Sequence, residues 1–188
     1  MQTDSPGTDF YPDHLEELDA AVYFLKDETG KRLEAGTTLV SVTIRGNQLT
    51  WLAIGDSRLY IIRGAEAVQA TRDHNYKEYL LDLLKNGSIT EKTFEEEREK
   101  HTALLSYLGM GNVQYYDLCA EPFTLQNKDV LLLASDGLYN TADVLEAVRH
   151  SDRTVNGITD CLLRAIRQSP DQERDNTTFI LIGYSEKE

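Results

Sequence analysis

Apolar residues recur along this chain with two periods, and the switches between them predict its elements. Over 13–26, Leu15, Leu18, Val22 and Leu25 fall at helical spacing. Asp13 stands where a cap is wanted, and Asp27-Glu28-Thr29-Gly30 ends the run. Residues 1–12 are polar, punctuated by Pro and Gly, and read as a flexible lead-in. The period then falls to two. Alternation over 39–44, 49–54 and 59–62 predicts three strands, joined at Arg45-Gly46-Asn47 and Gly55-Asp56-Ser57. Spacing this short predicts an antiparallel meander.

Helical spacing returns with Tyr76, Tyr79, Leu80 and Leu83, breaks at Asn86-Gly87-Ser88, and resumes in a charged segment that Thr90 caps. We read 74–109 as a helical insertion, either covering a site or packing as a solvated hairpin. Strands are expected at 113–119, 130–134 and 177–184. Helices are expected from Thr141 to 148 and over 155–167. Strands followed by helices and a last strand imply an α+β class rather than strict βαβ alternation.

Composition narrows the chemistry. With 19 basic and 32 acidic residues in 188, the formal charge is −13. That balance excludes nucleic acid and an anionic membrane as main partners, because each needs a basic face. No apolar run reaches the ~18 residues a spanning helix requires. Cys119 and Cys161 match no zinc spacing and read as thiols of a reducing, cytoplasmic compartment. The four histidines, His14, His74, His101 and His150, share no ligand spacing, and His74 reads as structural.

Candidate chemistry lies at strand ends. Asp136 closes the unbroken apolar run Leu131-Leu132-Leu133-Ala134, and Gly137 after it allows a sharp turn. A carboxylate beside a core demands a positive partner or a metal. Asp56 sits in one predicted turn, and Asp175 precedes the last strand. Grouped carboxylates make a hard oxygen site for Mg²⁺ or Mn²⁺. Taken singly, each motif is ordinary turn chemistry. Their order gives them meaning.

Gly36-Thr37-Thr38, Gly55-Asp56-Ser57-Arg58, Asp73-His74, Ser135-Asp136-Gly137-Leu138 and Asp175-Asn176-Thr177-Thr178 occur in this order. The series resembles the metal-dependent protein serine/threonine phosphatases of the type 2C family. Asn86-Gly87-Ser88-Ile89-Thr90 and Leu105-Ser106-Tyr107-Leu108-Gly109 resemble the flap of its bacterial members. The resemblance implies a four-layer sandwich of two antiparallel sheets flanked by helices, incomplete here, with 13–188 as the carboxy-terminal part of the domain. It implies Mn²⁺ or Mg²⁺ as cofactor, held by Asp136 and Asp175, with Asp56 on a weaker third ion. Asn176 would support the Asp175 loop by hydrogen bonding. Phosphoproteins, or a kinase, would be the partners.

One departure changes the expectation. The family carries an Asp-Gly-x-Gly-Gly-His-like segment whose aspartate bridges the catalytic metals. This chain has a single Asp-Gly pair, at 136–137, and no Gly-Gly. Metal binding is therefore expected to be weakened or lost, no residue is assigned as catalytic, and the chain alone is expected to be inactive. The competing expectation is a degenerate phosphatase fold serving as a binding or regulatory module. Missing strands would also leave sheet edges open to self-association.

Overall fold

A computed structural model describes residues 10–170 and 175–186. The elements in order are α1 (Phe10–Tyr23), β1 (Leu39–Arg45), β2 (Gln48–Ile54), β3 (Arg58–Arg63), β4 (Glu66–Gln69), α2 (Tyr76–Lys85) and α3 (Glu91–Glu96). A 3₁₀ turn (Arg98–Lys100) follows. Then come β5 (Asp117–Leu118), β6 (Phe123–Thr124), β7 (Val130–Ala134), α4 (Asp136–Tyr139), α5 (Val144–Arg149), α6 (Val155–Gln168) and β8 (Phe179–Gly183). Two antiparallel sheets with helices give the expected α+β class. One sheet runs β1-β2-β5, with β6 also pairing β2; the other runs β4-β3-β7-β8.

The chain divides into two compact units. The first comprises Met1–Ser41, Thr50–Asp56 and Asp73–Glu121; the second comprises Val42–Leu49, Ser57–Arg72 and Pro122–Glu188. In the first unit, Leu15, Leu52, Ile54 and Leu108 form the buried cluster, with Val22, Leu39, Val113 and Leu118 against it. In the second, Tyr60, Ile62, Val130, Leu132 and Ala134 meet Leu138, Val148, Ile158 and Leu162 from the helices. Here the helices bury their apolar stripes against one face of the β4-β3-β7-β8 sheet.

Several expectations need correction. The helix α1 opens at Phe10, so Asp13 lies inside its first turn and the lead-in stops at residue 9. Pro12 permits this, because the first helical N–H groups have no intrahelical acceptor to lose. Residues 1–9 lie outside the described residues. Leu18 and Leu25 are exposed, whereas Asp19 is buried at 5%. Its carboxylate accepts the Gly109 N–H at 2.6 Å, and that bond turns a polar residue inward.

The expected meander is also broken. Strand β3 leaves the β1-β2 sheet and pairs with β4 and β7 instead. The Gly55 turn between β2 and β3 takes φ +90°, a conformation side-chain-bearing residues resist. The strand expected over 113–119 shrinks to β5, and β4 and β6 had no alternating run long enough to announce them. Asp143, not Thr141, caps α5, accepting the Glu146 N–H. By contrast Thr154 caps α6, and the buried strand β7 runs over the expected 130–134.

Between β4 and β5 lie α2, α3 and the 3₁₀ turn. Asn75 caps α2, Gly87 turns the chain at φ +76°, and Thr90 caps α3 through the Thr93 N–H.

Candidate metal centre

The second unit builds Asp136 from its sheet outward. Strand β7 is buried along its whole length and pairs on one side with β3, on the other with β8. Ala134 faces Phe179 at the end of the β7–β8 ladder. Beyond that pair, the Ser135 N–H donates to the Thr178 carbonyl at 2.9 Å, and the Thr178 N–H donates to Ser135 Oγ at 3.1 Å. Asp136 then opens α4, with Ser135 as its N-cap residue. The Gly137 N–H donates to Asp136 Oδ1 at 2.9 Å.

Gly137 earns its place by size rather than by a positive φ, which corrects the expectation of unusual backbone angles. A Cβ there would strike the Asn176 carbonyl oxygen. The backbones of 136–137 and 175–176 are therefore in direct contact. The Asn176 N–H donates to Asp175 Oδ1 at 2.7 Å, and Asp175 is exposed while Asp136 is half-buried. The fold thus brings together the segments that carry Asp136 and Asp175.

In the first unit, Asp56 follows Gly55 in a turn held on both sides by one histidine. The Gly55 N–H donates to His74 Nδ1 at 3.2 Å, and the His74 N–H donates to the Gly55 carbonyl at 2.9 Å. With Nδ1 accepting, the ring proton of neutral His74 sits on Nε2. Thr38 Cγ2 fills the space beside Gly55. Asp56 is half-buried.

The donor chemistry suits a hard divalent cation: Asp136 and Asp175 offer carboxylate oxygens from adjoining backbones. Among the described residues, no group of three His, Cys, Asp or Glu forms a cluster able to hold a metal. Two carboxylates supply one side of a site rather than a cage.

Sequence reasoning passed over three features. Asp19 and its bond to Gly109 carried no signal, since a single Asp on a helix face normally points to water. Ser106 is fully buried and donates to the Tyr115 carbonyl at 2.5 Å. Arg58 lies with its guanidinium carbon 3.4 Å from the Tyr139 ring centroid. Each unit also holds an open cavity. One of about 850 Å³ is lined by Arg32, Gly36, Thr37 and Tyr107 in the first unit. One of about 410 Å³ is lined by Arg58, Tyr60, Tyr139 and Asp143 in the second.

Two antiparallel sheets with helices and a helical segment between β4 and β5 make an α+β fold. Comparisons place it more narrowly. Residues 4–78 match the family model of Protein phosphatase 2C. Over 155 residues the chain is 32% identical to Protein phosphatase PhpP of Streptococcus pneumoniae, covering 81% of this chain and 60% of that protein. The S. agalactiae serine/threonine phosphatase superposes with a TM-score of 0.72 at 25% identity, over 98% of this chain and 75% of that one. The catalytic domain of PstP, solved in complex with two manganese ions, shares the fold with a TM-score of 0.57 at 24% identity. That match covers 96% of this chain and 73% of that one. By sequence and by fold the chain is a relative of the bacterial type 2C protein serine/threonine phosphatases. It spans 60% of the length of the pneumococcal relative it matches.

Proposed function

We propose that the chain is part of a phosphatase domain that hydrolyses phosphoserine and phosphothreonine in proteins, and that alone it has little or no activity. Asp136 and Asp175 form one side of a Mn²⁺ or Mg²⁺ site in this reading. Asp56 holds a weaker third ion, Asn176 supports the Asp175 loop, and Gly137 lets the two segments meet. The observation that carries it is the backbone contact between Gly137 and Asn176 beyond the β7–β8 ladder. A divalent cation bound there supplies an activated water and charge neutralisation at a phosphate. The chain's own part is to present carboxylates from a stiff ladder end. The sequence carries no Asp-Gly-x-Gly-Gly-His-like segment to add a bridging carboxylate.

Phosphoproteins, or the kinase that makes them, are the partners this reading expects, in the cytoplasm. Cys119 and Cys161 form no disulfide, which suits a reducing compartment. No helix among the described residues is long and apolar enough to cross a membrane. Self-association is expected along β8, which among the described residues pairs only with β7 and leaves Ile180 56% exposed. The absence of any three-ligand cluster among the described residues favours a second reading, a regulatory module that docks a partner without turnover.

Calorimetric titration of the chain with Mn²⁺, beside a phosphothreonine-peptide assay, separates these readings. Weak Mn²⁺ binding that Asp136→Ala abolishes, with no hydrolysis, is the expected result. Robust hydrolysis by the chain alone overturns the expected inactivity. No Mn²⁺ binding at all removes the half-site and leaves the docking module.

A further inference from the structure

The Asp136 turn is a single helical turn of four residues, too short to hold its own shape. Its geometry must come from tertiary contacts. On the β8 side these are the Ser135–Thr178 hydrogen bonds and the seat of Gly137 against Asn176. On the β3 side stands Arg58. Arg58, the first residue of β3, pairs with Ala134, the last of β7. From there its guanidinium lies over the ring of Tyr139, the last residue of α4, with Cζ 3.4 Å from the centroid. Its Nη1 also donates to the Tyr60 hydroxyl at 3.1 Å, so the plane is held from behind.

We propose that Arg58 is a positioning residue for Asp136: by stacking on Tyr139 it fixes the far end of α4 and so the direction of the carboxylate at its start. Restraint from both neighbours of β7 leaves the turn little freedom to pivot about the strand end. A lysine could not substitute, because only the planar guanidinium can lie flat on a ring while donating in its own plane. The inference deepens the metal-site reading and rests on it for its functional meaning. Its structural content stands apart.

The test is amide hydrogen exchange in the full chain. The Gly137 N–H reports directly, since it donates to Asp136 Oδ1. The Leu131 N–H, within β7, reports global opening. Loss of the stack in Arg58→Ala or Tyr139→Leu should speed Gly137 exchange relative to Leu131 by about tenfold. Tyr139→Phe keeps the ring and should restore the wild-type ratio, and Arg58→Lys should not. Equal acceleration of both probes, or an unchanged Gly137, overturns the proposal. Should Arg58→Ala fail to fold, the Tyr139→Leu and Tyr139→Phe pair still decides it. Mn²⁺-induced broadening of the Gly137 signal, compared with Asp136→Ala, reads the metal site separately. Absence of that broadening counts against the metal reading alone.

Discussion

In β7 every side chain from Val130 to Ala134 is buried, whereas α3 has no buried residue at all. The two regions are held by opposite means. Strand β7 draws its backbone partners from β3, some 70 residues earlier, and from β8, about 50 later. Around α3 the chain is held by caps and turns within a few residues, Thr90 with Thr93 and Lys100 with Glu97, while the start of α2 also bonds Ala103 and His101 through the Tyr76 and Lys77 N–H groups. Non-local ladders open only when the whole unit opens, while local caps can fray one at a time. A carboxylate meant to hold a cation gains from the first kind of support. A segment meant to cover a site gains from the second, because it can move without unfolding the sheet.

The largest effect should come from breaking the ladder region at its root. Asp129, 1% exposed and next to β7, accepts from Arg63 Nε at 2.9 Å and Nη2 at 2.7 Å, and from the Gln126 N–H at 2.8 Å. Asp129→Ala takes away the arginine's carboxylate partner, leaving it the Thr124 carbonyl at 3.3 Å, and removes a turn anchor. A loss of about 3–5 kcal/mol in denaturant unfolding is expected, discounted towards the lower value because Arg63 is partly exposed. A loss below about 1 kcal/mol would show that the ladder does not need this anchor.

Acid should reproduce the same loss gradually. Burial works against the Asp129 charge, but the Arg63 and Gln126 hydrogen bonds outweigh it and hold the carboxyl below its ordinary value. A depressed folded value means the contribution is present above the unfolded value, about 3.9, and is lost as pH falls through the folded one. The stability gap between wild type and Asp129→Ala should therefore be full above about pH 4 and narrow below it. A gap independent of pH down to about 2 would contradict this assignment.

The smallest effect belongs to the insertion. Thr90→Ala removes the α3 cap and should cost about 0.5–2 kcal/mol locally. Amide exchange should quicken over 91–100 while Leu131 in β7 stays unchanged. Equal loss in both places would erase the contrast between the regions.

Much of the fold was legible because its signals are local. The cap at Thr90, the turns at Gly46 and Gly87, and the apolar run of β7 each announce themselves within a few residues. The placing of Asp136 and Asp175 was legible in the same way, from the apolar runs beside them. What failed was partner choice. Alternation over 59–62 marks a strand but not the sheet it joins, since backbone hydrogen bonds carry no side-chain label. Two-residue strands such as β5 and β6 are shorter than the period that would reveal them.

By itself, then, the sequence determined the order and kind of the longer elements and set Asp136 and Asp175 beside predicted strands. Tertiary structure alone decided that β3 pairs with β7, that Asp19 turns inward to Gly109, and that Arg58 lies on Tyr139. The physical reason is distance along the chain. Periodicity and capping act over one or two turns, whereas burying a charge or stacking a guanidinium needs a partner that only folding delivers.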